Sequence, residues 1–438
     1  MRNNAIKTWS VGLQHVLAMY AGAILVPLIV GGALNLTFEQ LTYLISIDLL
    51  ACGVATLLQV WKNKFFGIGL PVMLGCTFTA VGPMIAIGSQ HGISSIYGSI
   101  IVSGLFVVLI SKYFSKLNKF FPAVVTGSVV TIIGLTLIPV AMQDMAGGQG
   151  SDDFTSTSNL LLSFGVLAFI LLLNKFATGF VRAISILLGL IAGTIAAYFF
   201  GMVDFTEVGE ASWFHMIKPF YFGVPTFEIS AILTMILVAI VSLIESTGVY
   251  LALGDITEQE VSEEDLSKGY RAEGLAIVLG GIFNAFPYTA YSQNVGLVQL
   301  TGVKTKNVIF AAGTILVVLG LLPKVAAITT LIPTAVLGGA SIAMFGMVVA
   351  YGIKMLSRVD FNQQGNLLIV ACALGLGLGV TVVPEIFANL PESIRILTES
   401  GIVAGSMTAI LLNILFNIVP NSNKESDSEN EYQQQKAS

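Results

Sequence analysis

The stretch LPVMLGCTFTAVGP, residues 70–83, has a counterpart in FPYTAYSQNVGLVQ, residues 286–299. Each opens on an apolar residue and a proline, then runs into small and polar residues that are unusual at membrane depth. Thr77 and Phe78 lie six and seven positions beyond Pro71, and Gln293 and Asn294 lie six and seven beyond Pro287. Proline with Gly75, or with Ser292 and Gly296, frees backbone N–H and C=O groups that lipid cannot satisfy. Such backbone survives only buried in protein or lining a wet cavity. Taken singly, each stretch reads equally well as a proline kink in a packed bundle. Interrupted segments at matching places in two halves point instead to the binding site of a transporter.

The composition places these stretches in a membrane. The 438 residues include 20 Lys+Arg and 25 Asp+Glu, so 10% are charged and 55% hydrophobic. A soluble domain runs at about 25% charged and 45–50% apolar. This chain lacks the charge to cover a soluble surface, which excludes a soluble enzyme, a nucleic-acid binder and a disordered scaffold. The 45 glycines agree, since glycine is commoner in membrane helices. Cys52, Cys76 and Cys372 all lie in apolar stretches and read as an odd, buried set with no disulfide framework. His15, His91 and His215 are far apart in sequence and far from the cysteines, so no metal site is expected. The apolar run from about residue 11 to 33 is too long for the core of a signal peptide. It reads as a first spanning helix.

Apolar runs of roughly 17–25 residues give fourteen candidate spans. The first seven lie near 11–31, 41–61, 68–88, 93–111, 122–142, 159–174 and 181–201. The second seven lie near 231–252, 272–284, 288–302, 307–322, 327–352, 366–384 and 402–419. With the N-terminus inside, 17 of the 20 basic residues fall on the cytoplasmic side, leaving Lys218, Lys324 and Arg395 outside. That asymmetry is what the positive-inside rule demands, so the short ninth and tenth spans both cross and both termini are cytoplasmic. Seven spans per half is an odd number, so the halves are expected to be inverted repeats. Residues 143–158 and 202–228 form outer loops, the second rich in aromatics (Trp213, Tyr221, with His215). Residues 421–438 read as a disordered cytoplasmic tail.

Ionisable groups inside a membrane are functional candidates by default, costing roughly 2.5–3.5 kcal/mol on insertion scales. Four qualify: His15 after Gln14 in span one, Asp48 in span two, Glu245 in span eight and Glu273 where span nine begins. Spans one and eight are repeat mates, so His15 and Glu245 are expected to face the same central space. His15 has the alternative of bonding a neighbouring backbone carbonyl, and Glu273 that of an ion pair with Arg271. Asp48 receives no role beyond bracing a helix. No Lys or Arg lies at mid-membrane, so an anion would meet only helix N-termini. Neither a nucleophile with a neighbouring base nor a metal constellation is present in the sequence, so the expectation is not an enzyme.

On SQNVGLVQLTG (residues 292–302), Gln14–His15, Pro71 with Thr77–Phe78, Glu245, and Glu273 twenty residues before Gln293, the chain resembles the nucleobase–ascorbate transporter family. That family is also called nucleobase–cation symporter 2, and the bacterial members that carry xanthine are the most similar. The resemblance covers almost the whole chain. It implies an all-α polytopic membrane protein, with fourteen transmembrane segments in two inverted seven-segment repeats and short extended strands in segments three and ten. Residues 1–120 and 230–325 would form a substrate-binding core, and 121–229 with 326–420 a gate that mediates homodimerisation.

The substrate site implied by the resemblance is Glu245 and Gln293, with Phe78, Thr77, Ser292, Tyr291 and Asn294 around them. His15, Glu273 and Gln14 would support Glu245 in proton coupling. The chemistry suits xanthine, whose edges present N–H donors and carbonyl acceptors: an ionised carboxylate only accepts, while an amide does both. Phe78 is placed to stack on a purine. Uracil-type members tend to carry Glu at the position of Gln293, so the amide favours purines. One departure is Val249, where many xanthine and urate members have Asp. It weakens any coupling scheme that needs a second acid on that helix. The expectation is a proton-coupled xanthine importer of the cytoplasmic membrane, without cofactor, working by alternating access. Urate, guanine or uracil on the same fold, and an anion exchanger, are the rival readings.

Overall fold

The computed structural model describes residues 2–116, 121–214, 216–391, 395, 398 and 400–419. The tail at 421–438 and His215 lie outside the described residues. The chain opens with α1 (Arg2–Ala33) and α2 (Phe38–Val60). A capping box starts α2, in which the Thr37 side chain accepts from the Gln40 N–H and the Gln40 side chain accepts from the Thr37 N–H. An irregular stretch leads to strand β1 (Leu74–Cys76), a 3₁₀ turn (Phe78–Ala80), α3 (Val81–His91) and α4 (Ile93–Phe114). Then follow α5 (Ala123–Met145), α6 (Thr157–Phe176), α7 (Gly179–Ala183), α8 (Ser185–Phe199) and the short outer α9 (Thr206–Glu210).

The second half begins with α10 (Ile229–Thr257) and α11 (Glu263–Phe283), followed by β2 (Tyr288–Ala290) and α12 (Ser292–Thr301). It continues through α13 (Lys306–Gly320), α14 (Pro323–Thr329), α15 (Thr334–Leu356), α16 (Gln364–Val382) and α17 (Gly401–Asn413). Among the described residues nine helices are long and apolar enough to cross a membrane, and α13 with α14 make a further pair bent by 85°. The interrupted segments β1–α3 and β2–α12, the fifteen-residue α8 and the more polar α11 fill the remaining expected positions.

Several boundaries move for identifiable reasons. Ser262 and Asp265 form a capping box that starts α11 at Glu263, about two turns before the expected start at 272. Glu273 therefore lies in mid-helix and not at its mouth. The expected span 327–352 is divided, because Pro333 cannot extend α14 and instead caps α15. Cys52 and Cys76 are buried as expected, but Cys372 is exposed on α16, where an apolar side chain has lipid to face.

The packing follows two sets of helices. Helices α1, α2, α4, α10, α11 and α13 pack on one another, while α5, α6, α15, α16 and α17 do so separately, with α8 against α6 and α15. Close approach needs small residues, since helices in lipid have no hydrophobic force drawing them together. Where α4 meets α11, a Cβ at Gly104 would stand 2.9 Å from the Gly274 carbonyl, and one at Gly274 would stand 2.9 Å from that of Gly104.

Loops that the charge distribution assigns to one side are joined in the structure. Lys62 pairs with Asp265 at 2.5 Å, Lys304 with Glu258 at 2.8 Å, and Arg271 donates to the Phe65 carbonyl at 3.0 Å. On the other side Lys324 donates to the carbonyls of Gly209 and Ala211, and Tyr43 to that of Lys218. A cavity of about 730 Å³ lies there, lined by Glu39, Tyr43, Glu207, Glu210, Lys218 and Tyr221 among others.

Candidate substrate site at the strand crossing

The two interrupted stretches meet as an antiparallel pair of three-residue strands. Leu74 lies opposite Ala290, Gly75 opposite Thr289 and Cys76 opposite Tyr288. The ladder continues at both ends, with Thr77 N–H donating to the Pro287 carbonyl at 3.0 Å and Tyr291 N–H to the Met73 carbonyl at 2.9 Å. Leu74 and Ala290 are 216 positions apart, the same spacing as Pro71 and Pro287. The exchange of halves that superposes the prolines therefore maps this pair onto itself, and maps Gly75–Thr289 onto Tyr291–Met73. The paired strands answer the question set by the prolines, because the backbone groups released from helix are satisfied across the crossing.

Two helices hold the crossing from opposite sides. On α10, Ser242 meets Thr77 at 3.2 Å, and Ser246 both meets the Thr289 hydroxyl at 3.0 Å and accepts from Ala290 N–H at 3.0 Å. On α2, Asp48, Cys52, Thr56 and Gln59 recur at near-helical spacing. Thr56 Oγ1 accepts from Leu74 N–H at 3.0 Å, and Gln59 Oε1 accepts from Ile68 N–H at 3.1 Å. Asp48 Oδ1 accepts from Phe286 N–H at 3.1 Å and from the Tyr288 hydroxyl at 3.3 Å, while Oδ2 accepts from the Cys76 thiol at 2.6 Å.

Past the strands, α12 begins at Ser292, and a 3₁₀ turn capped by Thr77 leads into α3. The two half-helices start at opposite ends of a three-residue pair, on the order of 10 Å apart. Each presents a positive N-terminal dipole to the crossing. Glu245 lies on α10 between Ser242 and Ser246. It is partly exposed, and among the described residues its carboxylate makes no hydrogen bond or ion pair. Gln293 is also partly exposed and accepts from the Ser292 hydroxyl at 3.4 Å. The Phe78 ring is edge-on to Phe345 of α15 at 5.5 Å and tilted to Tyr291 at 6.5 Å.

The remaining expected residues fall into two groups. His15 is fully buried and meets Asn294, whose Nδ2 lies 3.1 Å from His15 Nδ1 and donates to the His15 backbone carbonyl at 3.1 Å. The histidine side chain thus faces α12 instead of bonding a neighbouring carbonyl. Gln14 is half-buried beside it. Tyr291 is buried between α1 and β1, where a Cβ on Gly22 would stand 2.4 Å from its hydroxyl oxygen and one on Gly75 2.3 Å from its ring. Glu273 is fully buried and accepts from the Tyr250 hydroxyl, which in turn accepts from Gln59 Nε2. The alternative ion pair with Arg271 does not form. Arg271 turns to Ser111, Ser267 and the Phe65 carbonyl instead.

Sequence reasoning missed the stripe on α2. Asp48, Cys52 and Cys76 each place a ligand-type atom within 4.8 Å of the others, though the cysteines looked isolated in sequence. The Cys76 thiol hydrogen is already directed to Asp48, so hydrogen bonding accounts for the cluster. The available signal was the run of polar residues at positions 48, 56 and 59 on one face of an apolar helix.

The chain is similar to known permeases over most of its length. Residues 6–386 match the model Xan_ur_permease, described as a permease family. A xanthine permease of Bacillus subtilis is 66% identical over 424 residues, covering 97% of each chain. The uric acid permease PucK of the same organism is 66% identical over 415 residues, covering 95% of this chain and 96% of its own. Among solved structures, the transmembrane domain of the cyanobacterial bicarbonate transporter BicA superposes with a TM-score of 0.59 at 15% identity, covering 92% of this chain and 97% of that one. That likeness concerns the fold alone.

Proposed function

The chain belongs to this permease family, and on that premise we propose that it imports xanthine by proton symport, with a core that moves against a gate in alternating access. Nucleobase transport is the coarser statement that its relatives support. One observation carries the reading furthest: the Glu245 carboxylate has no partner in the middle of a long apolar helix, yet it stands beside the only pair of strands among the described residues. A carboxylate kept at membrane depth without a partner is costly unless a ligand or a proton completes it.

In this reading the ionised Glu245 accepts N–H bonds from the purine, and the Gln293 amide donates and accepts at another edge. Phe78 covers the ring face, and its contact with Phe345 links the site to the α5–α15 set of helices. Protonation turns Glu245 from a pure acceptor into a donor, so proton and substrate occupancy become linked. His15 and Glu273 support Glu245 through the helices they pin, α12 and α10. The interrupted segments supply free N-termini, the usual construction at the midplane site of transporters built from inverted repeats. The homodimer and the division into core (1–120, 230–325) and gate (121–229, 326–420) belong to the same proposal; the two sets of packed helices favour the division.

The test is uptake of radiolabelled xanthine in cells lacking their own transporters, with and without a protonophore. Accumulation against a gradient that collapses with the protonophore is expected. Glu245→Gln should abolish uptake or remove its pH dependence, and intact uptake with an intact pH profile would refute the scheme. Urate is the second reading, favoured by the equal identity of the chain to a uric acid permease. A competition panel of xanthine, urate, guanine and uracil separates the two.

A further inference from the structure

The three bonds accepted by Asp48 have no counterpart in the reading above, and they converge where the two halves of the site are joined. Asp48 is fully buried in α2. One oxygen takes the backbone N–H of Phe286 and the hydroxyl of Tyr288, which frame Pro287 just before β2. The other takes the thiol of Cys76, the last residue of β1. Cys76 and Tyr288 are opposite one another in the strand pair, so a single carboxylate ties both members of one rung to α2. No Lys or Arg makes an ion pair with it among the described residues. A fully buried carboxylate with no cation beside it depends on the donors aimed at it, because a buried acceptor left unmatched costs more than a net bond gains.

We propose that Asp48 is a positioning residue for substrate binding, fixing the relation of β1 to β2 and through it the relation of Phe78 to Gln293. Thr77 and Phe78 follow directly on Cys76, and Gln293 lies five residues beyond Tyr288. Loosening the rung shifts one wall of the site relative to the other without touching a group that contacts substrate. This inference rests on the nucleobase site proposed above.

The acceptor geometry makes a specific rescue possible. In Asp48→Asn, one oxygen still serves Phe286 and Tyr288, while the new NH₂ group meets the Cys76 thiol, whose sulfur accepts only weakly. Adding Cys76→Ser supplies a hydroxyl that accepts from that NH₂ and rebuilds the link in reverse.

The experiment measures initial rates of xanthine uptake by the full-length chain in transport-deficient cells, normalised to membrane-inserted protein. Asp48→Asn is expected to raise KM about tenfold with a smaller change in maximal rate, as loss of one buried bond implies. Asp48→Asn with Cys76→Ser should return KM to within about threefold of the parent, by the same conversion. Tyr288→Phe, which removes one donor only, gives a milder rise and serves if Asp48→Asn does not insert. An unchanged KM at equal membrane level, or a double variant no better than the single, overturns the proposal.

A second arm needs no substrate. In a Cys52→Ala/Cys372→Ala background, maleimide labelling of Cys76 should be slow and should accelerate when Asp48 becomes Asn. An unaltered labelling rate also overturns the proposal. If the parent carries no nucleobase at all, the transport reading fails, while the labelling arm still decides whether Asp48 holds the rung.

Discussion

Ser246 Oγ on α10 accepts the backbone N–H of Ala290 at 3.0 Å, one residue away from the unpartnered Glu245. The bond fixes the strand crossing directly to the helix that carries the candidate substrate ligand. Its loss would leave a buried N–H without its acceptor, at a cost of about 1–3 kcal/mol. Ser246→Ala should therefore lower the thermal stability of the detergent-solubilised protein and weaken uptake. Ser246→Thr, which keeps the hydroxyl, should retain more of both. Differential scanning fluorimetry and uptake rates check the pair.

The seat of Tyr291 is defined by absent side chains. A Cβ on Gly22 would lie 2.4 Å from the Tyr291 hydroxyl oxygen. Overpacking of this kind costs typically about 1–3 kcal/mol, so Gly22→Ala should depress uptake. Tyr291→Phe removes the closest atom and should recover part of the loss. A double-mutant cycle on thermal stability gives the coupling directly. Additive effects would show that the two residues do not share this contact.

Glu273 is bonded to Tyr250, and its sequence neighbour Arg271 points elsewhere. Glu273 and Tyr250 should show coupling of about 0.5–3 kcal/mol in a double-mutant cycle. Glu273 and Arg271 should show none beyond the scatter of additive sites. Measured unfolding of the four variants in each cycle distinguishes the two wirings.

Gln293→Glu replaces an amide that both donates and accepts with a group that, ionised, only accepts. The expected result is weaker xanthine uptake and stronger competition by uracil in the panel described above. Unchanged purine preference would remove Gln293 from the specificity of the site.

The loop pair Lys62–Asp265 bears on interpretation of pH profiles. Partial burial pushes the Asp265 carboxyl up, but Lys62 and the Ser262 cap outweigh it and hold the group below its ordinary value. The sign follows: a depressed folded value contributes stability above the unfolded value of about 3.9 and loses it only as pH falls through the folded one. The pair is part-exposed and worth roughly 0–1 kcal/mol. Lys62→Ala should leave the shape of the uptake profile between about pH 5 and 8 unchanged. An altered profile would bring this loop into the coupling mechanism.

The chain's membrane character, its alternation of polar loops and apolar runs, and the two interrupted segments were legible in the residues themselves. Scarcity of charge, hydrophobic length and proline spacing are local properties, and water and lipid act on them locally. The offset of Pro71 and Pro287 recurs between Leu74 and Ala290, but proline spacing alone does not say which residues of the two strands face each other. Glu245 stood out for the same reason, as a carboxylate with no sequence neighbour to excuse it. What no local property determines is which polar group answers which. Asp48 looked like a stray acid until α2 packed against residues 28 and 240 positions away. Glu273 read equally as a buried group or as a partner for Arg271, and the helix start set by the capping box at Ser262, with a buried tyrosine taking the bond, decides for the first. In a low-dielectric interior a buried donor or acceptor without a match is costly, and only the tertiary structure decides how the matches are distributed.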